Sequence, residues 1–170
     1  PDTVIAVTGT NGKTSVSNFI NEIMIYNNIT TINNSKGSNM PAGIASSLIE
    51  KADIMGVVKE KLAIFEVDER ASGFIYDHIP PTYLVCTNLF RDSIKRNGHS
   101  EFILSKIKSS VPKSTILILN ADDLISSSIG MKENKKYYFA AETLDNNPDN
   151  IVTDISVCPN CKHKLEFKYR

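Results

Sequence analysis

The chain has 170 residues, 41% of them hydrophobic, and its 19 Lys and Arg residues balance 19 Asp and Glu residues. A net charge of zero argues against a protein that binds nucleic acid or an anionic membrane through bulk positive charge. No apolar run approaches the roughly 18 residues of a membrane-spanning helix, and the first residues given do not show the charged-then-apolar pattern of a signal peptide. We therefore expect a cytoplasmic protein that is not integral to a membrane, and the sparse use of cysteine also favours this.

Short apolar, β-branched runs alternate with helical patterns along the chain. A predicted strand at residues 3–8 is followed by a glycine-containing break at 9–13 and a helix over 14–26. Helices are also predicted from Pro41 and over residues 102–111, and strands at residues 29–32, 61–67, 83–87, 115–119 and 136–140. The alternation predicts an α/β fold, a mostly parallel sheet with helices on both faces.

A polar stretch near the end of the chain indicates a boundary. Residues 145–149 contain Pro148, and a Cys-x-x-Cys pair follows. We expect one domain over residues 1–150 and a separate segment over residues 151–170. Because the chain starts at Pro1 rather than Met and the cysteine pair lies close to Arg170, we expect it to be part of a longer polypeptide.

A phosphate loop, residues 9–14, joins the first predicted strand to the first predicted helix. Its glycines let the backbone curl around an anion, and the helix N-terminus adds partial positive charge. Lys13 supplies a full charge, and the Thr14 hydroxyl can ligate Mg²⁺. The alternative is a tight glycine-rich turn with an incidental Lys-Thr. The pattern favours phosphate contacts from Gly9, Thr10, Asn11, Gly12, Lys13 and Thr14.

Acidic residues close the predicted strand at 61–67. Glu66 directly ends the apolar run, and Asp68 and Glu69 follow. Ligands of open parallel sheets bind at the carboxyl ends of strands, so Glu66 is expected near the phosphate loop, where it could hold Mg²⁺. A solvated turn is the alternative for all three carboxylates, and for Asp68 and Glu69 the two interpretations stand level.

Polar residues also follow the strand at 83–87. Thr87, Asn88 and Asp92 are candidate site residues, although Asn88 can simply form a turn and Asp92 can cap the next helix. Cys86 lies within the apolar run and is expected to pack in the core.

The spacing of Cys158 and Cys161 is that of a zinc knuckle. A structural zinc site needs four ligands, and this pair supplies two, with His163 a conceivable third. Free or redox-active thiols are the alternative. A redox Cys-x-x-Cys is expected at the end of a first strand, whereas this pair follows a loop, so the pattern favours zinc.

The phosphate loop and five further motifs together resemble the Mur ligase family. The motifs are Gly37-x-Asn39-x-x-x-Gly43-Ile44, Glu66-Val67-Asp68-Glu69, Thr87-Asn88-Leu89-Phe90-Arg91-Asp92, Asn120-Ala121-Asp122-Asp123 and Cys158-Pro159-x-Cys161. The Glu-Val-Asp-Glu, the Phe-Arg-Asp and the cysteine pair resemble the MurT-type members in particular. The resemblance covers about residues 4–167, which would make residues 1–150 the family's central ATP-binding domain.

The resemblance implies an ATP-dependent carbon–nitrogen ligase subunit that acts in peptidoglycan synthesis with Mg²⁺. Its substrate would be lipid II at the membrane surface, with the D-glutamate α-carboxyl activated as an acyl phosphate. Ammonia for the amidation would come from a glutaminase partner, GatD, in a heterodimer. The alternatives are another Mur-type ligase, for an amino acid or a polyglutamate tail, and a non-catalytic module that binds nucleotide and zinc.

Family motifs also imply roles for single residues. Lys13, Asn39 and Asp92 would be catalytic, and Asn120 would join the phosphate loop in binding the nucleotide. Ser93 follows Asp92 where many members carry a metal-binding His, so that ligand is absent here.

The metal ligands follow in the same way. Thr14 and Glu66 would hold Mg²⁺. Cys158 and Cys161 would form the first half of a Cys₄ ribbon around a structural Zn²⁺, beginning at residue 151.

Overall fold

A computed structural model describes residues 1–89 and 100–141, together with residues 158, 161, 163 and 164. The chain divides into two compact units, Pro1–Phe139 and Ala140–Arg170. The first unit carries the sheet described below. The predicted boundary at residue 150 lies outside the described residues.

The described residues form one six-stranded sheet in which every strand pair is parallel. The strands are β1 (Thr3–Thr8), β2 (Thr31–Asn33), β3 (Leu62–Glu66), β4 (Tyr83–Cys86), β5 (Ile116–Asn120) and β6 (Lys136–Phe139). Their order across the sheet is β2-β3-β1-β4-β5-β6. After β3 the chain crosses to the other side of β1, so the carboxyl end of β1 lies where the strand order reverses, the usual ligand-binding position in such sheets.

Helices follow most of the strands. Their bounds are α1 (Lys13–Tyr26), α2 (Pro41–Lys51), α3 (Ser72–His78), α4 (Ser100–Ser110) and α5 (Leu124–Ser127). The prediction of α2 from Pro41 is confirmed, since proline fits the first turn, where no N–H is needed. The sequence patterns did not indicate α3 and α5, because helices this short do not repeat the apolar spacing.

The core runs through the middle of the sheet. Consecutive strand residues point to opposite faces, and Ala63, Ile64 and Phe65 of β3 are all buried, so both faces are covered there. The run Leu84, Val85 and Cys86 of β4 is buried in the same way. The predicted parallel α/β fold is therefore confirmed, with strand ends shifted by a residue or two. The zinc ribbon predicted from residue 151 falls mostly outside the described residues, so it stays a prediction.

Helix length and composition also bear on membranes. In the part of the chain that the structure describes, no helix is both long enough and apolar enough to cross a bilayer.

Candidate functional site

Parallel pairing brings the carboxyl ends of β1, β3 and β4 to one edge of the sheet. The phosphate loop leaves β1 at this edge, and Thr8 is held there because its hydroxyl donates to the Val67 carbonyl at 2.9 Å, just beyond β3. The loop ends where Lys13 begins α1. The strand–loop–helix context that such a loop requires is therefore present.

Thr87 and Asn88, which directly follow β4, hold the phosphate loop in place and are called the clamp. The Thr87 hydroxyl donates to the Asn11 carbonyl at 2.7 Å. Asn88 brackets the same residue, because its Oδ1 accepts from Asn11 N at 2.9 Å and its Nδ2 donates to Asn11 O at 3.1 Å. Its own carbonyl accepts from Thr10 N at 2.7 Å. Asn88 thus holds the loop through backbone and side chain, a role beyond the simple turn that sequence reasoning left open.

Both glycines of the loop have positive φ values, 132° at Gly9 and 80° at Gly12. Residues that carry a side chain rarely adopt these backbone angles, which accounts for glycine at both positions. Gly9 has a second constraint, because a Cβ there would lie 2.2 Å from Thr87 Oγ1 and 2.8 Å from the Asn88 carbonyl. At Gly12 the space is open. The close packing of loop and clamp therefore depends on Gly9.

Lys13 directs its ammonium group back at the loop and at Glu69. Nζ donates to the Gly9 carbonyl and lies 3.2 Å from Glu69 Oε1. The side chains are only 13% and 4% exposed, so the pair is largely shielded from water. Burial raises the pKa of the Glu69 carboxyl, and the charge of Lys13 partly opposes that rise. Sequence reasoning left Glu69 unassigned, and the structure joins it to the loop lysine.

Glu66 lies beside the start of α1. Its Oε2 accepts from the Thr14 hydroxyl at 2.7 Å, and its Oε1 accepts from Asn39 Nδ2 at 3.0 Å. The structure thus brings together three residues that the sequence nominated separately. A hydroxyl and a carboxylate oxygen are the hard ligands that Mg²⁺ takes, so Thr14 and Glu66 fit that ion.

A buried asparagine that directly follows β2 positions this cluster. Asn34 is 3% exposed, and its side chain forms a reciprocal pair with the Glu66 backbone, with Oδ1 accepting from the Glu66 amide and Nδ2 donating to the Glu66 carbonyl, both at 2.9 Å. Asn39 is held in turn because its carbonyl accepts from Asp68 N at 2.9 Å. Asn34 was missed in the sequence, where no motif includes it.

The predicted nucleotide residue Asn120 ends β5 and links two strand ends. Its Nδ2 donates to the Thr87 carbonyl and its Oδ1 accepts from Asp122 N, both at 2.9 Å. Nearby, the buried Asp123 accepts from Leu89 N and from Ile125 N, which caps α5. This network braces the residues that follow β4, and with them the clamp on the phosphate loop.

Three further predicted site residues, Asp92, Cys158 and Cys161, are taken separately. Asp92 is outside the described residues. Cys158 and Cys161 are described, and Cys158 N donates to the His163 carbonyl at 2.8 Å. Across the described ranges no three or more potential ligands group as a metal site. The pair supplies two of the four ligands that structural zinc needs, so the zinc ribbon stays a prediction.

Cys86 packs in the core, as expected. It is fully buried, and burial raises the pKa of its thiol to about 12. A thiol with so high a pKa is not a nucleophile near neutral pH.

Comparisons with known proteins bear on this site. The family profile described as the Mur ligase middle domain matches residues 7–166. The chain belongs to the Mur ligase family. It is 32% identical over 170 residues to the lipid II isoglutaminyl synthase (glutamine-hydrolyzing) subunit MurT of Staphylococcus aureus strain COL, covering 99% of this chain and 38% of that protein. The MurT subunit of Streptococcus pneumoniae strain R6 is also 32% identical, over 176 residues, with 98% and 37% covered. The chain therefore spans less than two-fifths of the length of these relatives.

Solved structures of Mur-type ligases share the fold. A pseudomurein peptide ligase type C from Methanothermus fervidus aligns with a TM-score of 0.70 and 22% identity, covering 98% of this chain and 33% of that one. MurF from Acinetobacter baumannii aligns with a TM-score of 0.63 and 18% identity, covering 80% and 30%. These likenesses support the parallel α/β architecture of the family.

Proposed function

We propose that the chain is the ATP-binding centre of the ligase subunit of a lipid II isoglutaminyl synthase. The observation that carries the proposal is the meeting of the clamped phosphate loop with Thr14, Glu66 and Asn39 at one sheet edge. Resemblance to MurT subunits over nearly the whole chain supports the specific reaction. The substrate would be the D-glutamate α-carboxyl of lipid II, amidated with ammonia from a glutaminase partner of the GatD type.

Nucleotide binding would begin at the loop. ATP, once bound with Mg²⁺, supplies the γ-phosphoryl group that turns the carboxylate into an acyl phosphate. The backbone N–H groups of residues 9–14 and the N-terminus of α1 offer partial positive charge to the phosphates. Lys13 adds the full charge, already held next to the loop.

The metal would be held by Thr14 and Glu66. Asn39 donates to Glu66 Oε1 at 3.0 Å and so fixes the orientation of the carboxylate. Catalysis of phosphoryl transfer is mostly positioning and charge neutralisation, and no nucleophilic side chain is required. We keep Lys13, Asn39 and Asp92 as the predicted catalytic residues and Asn120 as a predicted nucleotide contact.

Zinc plays no part in this mechanism. A structural Zn²⁺ on Cys158 and Cys161 remains a separate prediction, because no three potential ligands group together among the described residues and structural zinc needs four.

The test uses the full-length protein with its glutaminase partner, glutamine, ATP, Mg²⁺ and lipid II, and mass spectrometry of the amidated product. We expect Lys13→Ala to lower turnover at least about a hundredfold, because one preorganised charge at the transferring phosphoryl group is lost. Lys51→Ala is the matched control, since Lys51 pairs with Glu60 at 3.8 Å outside the site. Failure of the wild-type protein to form product, or an unchanged rate in Lys13→Ala, would refute the proposal.

A further inference from the structure

Glu69 lies three residues beyond the predicted metal ligand Glu66 and faces a different partner. It pairs with Lys13, whereas Glu66 contacts Thr14 and Asn39. The two carboxylates therefore contact different parts of the proposed nucleotide site. Glu66 lies where it could bind the metal, and Glu69 contacts Lys13, the lysine proposed to bind the phosphates.

The position of Glu69 is built into the fold. Its backbone carbonyl accepts from the Ser72 hydroxyl at 2.8 Å, which anchors it at the start of α3. Its side chain is 4% exposed and has Lys13 as its ion-pair partner. Burying a carboxylate is costly unless it is paired, and burial does raise its pKa. The carboxylate therefore depends on the loop lysine.

Lys13 in turn depends on Glu69 for part of its contacts. Before nucleotide binds, the ammonium group is satisfied by the Gly9 carbonyl and by Glu69. The loop therefore offers an incoming phosphate a lysine whose charge is already offset. Any anion bound at the loop also feels the negative charge of Glu69 through a poorly screened environment.

We propose that Glu69 is a positioning residue that holds Lys13 at the loop and limits the affinity of the loop for phosphates, so that ADP and phosphate can leave after transfer. The inference rests on the proposed function, because it assigns the nucleotide to this loop. The Glu69 carboxylate and an incoming polyphosphate compete for the ammonium group of Lys13. When the polyphosphate binds Lys13, the buried Glu69 carboxylate loses part of the positive charge that stabilises it.

Direct binding measures this competition without requiring ligase turnover. Calorimetric titration of the full-length protein with ADP, and separately with inorganic tripolyphosphate, is compared between wild type and Glu69→Gln. The amide keeps the size of the side chain and removes its charge. We expect both probes to bind about fivefold to tenfold more tightly to the variant, and the gain to shrink at high salt.

Two further variants separate charge from structure. Glu69→Asp keeps the carboxylate and should return the affinity to within about twofold of wild type. Glu60→Gln removes a carboxylate from the Lys51 pair, outside the site, and should change neither affinity. In turnover, Glu69→Gln should lower the KM for ATP without raising kcat, whereas a merely structural role would raise the KM. Equal or weaker binding by Glu69→Gln, or an equal gain in Glu60→Gln, overturns the proposal.

A second measurement titrates the wild-type protein and so does not depend on whether Glu69→Gln folds. The carboxyl carbon resonance of Glu69, assigned with Glu69→Asp, should shift as tripolyphosphate is titrated, because Lys13 is drawn toward the phosphates. A resonance that does not move at saturation overturns the proposal.

The outcomes also separate this proposal from the ligase function. Wild-type binding without a gain in Glu69→Gln removes the role of Glu69 and leaves the ligase proposal standing. The expected gain in binding, together with no amidated product from the complete system, keeps the role of Glu69 and removes the ligase proposal. Absence of binding by either protein removes both.

Discussion

The phosphate loop and the cysteine pair, Cys158 with Cys161, are both short motifs with recognisable spacing, yet their described surroundings differ. The loop is met by side chains from two other strand ends, since Thr87 and Asn88 hold Asn11 and Glu69 pairs with Lys13. Around the cysteine pair, the described residues bring no third potential metal ligand into a group.

This difference shows what turns a motif into a site. The loop is contacted by residues distant in sequence, and the parallel sheet brings them there because β1, β3 and β4 end at one edge. A zinc knuckle likewise needs a second pair of ligands from elsewhere. The predictions below test whether the loop depends on its distant partners, and whether the cysteine pair is independent of the loop.

The largest effect is expected at Gly9, where loop and clamp meet. In Gly9→Ala the new Cβ would lie 2.2 Å from Thr87 Oγ1, on a residue with φ of 132°. We expect a loss of about 3 kcal/mol in the free energy of unfolding, from overpacking together with backbone strain, and loss of nucleotide binding. Urea denaturation of the full-length protein measures the first and calorimetric titration with ADP the second.

Gly12→Ala is the matched control for this substitution. Gly12 also has a positive φ, 80°, but nothing lies within 4 Å of the position of a Cβ. The free energy of unfolding of Gly12→Ala should fall by only about 1 kcal/mol, the cost of the backbone strain. Equal losses in the two variants would mean that the contact with Thr87 does not matter, and that the loop is shaped by local conformation alone.

The same residues show how far sequence reasoning reached. The proximity of Glu66 to the loop followed from the rule that ligands of parallel sheets bind at the carboxyl ends of strands, because it depends only on where strands end. The pairing of Lys13 with Glu69 could not be predicted, because Glu66 and Glu69 belong to one short segment but their side chains contact different partners. Asn34 escaped for a related reason, because its contacts are with the backbone of Glu66, and backbone contacts select no residue type at that partner.

A smaller effect is expected at the clamp itself. Asn88→Ala removes both side-chain hydrogen bonds to Asn11 and leaves the Asn88 carbonyl to hold Thr10 N. Because Asn11 is exposed, its freed N–H can bond to water, while its carbonyl keeps the Thr87 hydroxyl as a donor. The free energy of unfolding should therefore fall by only about 1 kcal/mol. The affinity for ADP should fall more noticeably, about fivefold, because the loop must then be ordered by the ligand.

Asn27→Ala gives the comparison for that measurement. Asn27 Nδ2 donates to the Ile23 carbonyl at 2.7 Å at the far end of α1, so a side-chain hydrogen bond to backbone is lost there without touching the loop. Its ADP affinity should match wild type. A drop of the same size in both variants would assign the effect to general destabilisation rather than to the clamp.

The smallest effect on nucleotide binding is expected at the cysteine pair. Cys161 is exposed, Cys158 is half-buried and Cys86 is buried with a thiol pKa of about 12, so a thiol reagent should label them in that order, and Cys86 only after unfolding. Cys161→Ser should remove the fastest labelling step and leave the ADP affinity unchanged. If a zinc ribbon forms, the full-length wild-type protein should carry about one zinc, and Cys161→Ser should lose that zinc. The two cysteines of the metal-bound wild type should then be protected from the thiol reagent until a chelator is added. Loss of ADP affinity along with the metal would instead make the cysteine pair part of the nucleotide site, and the contrast between the two motifs would fail.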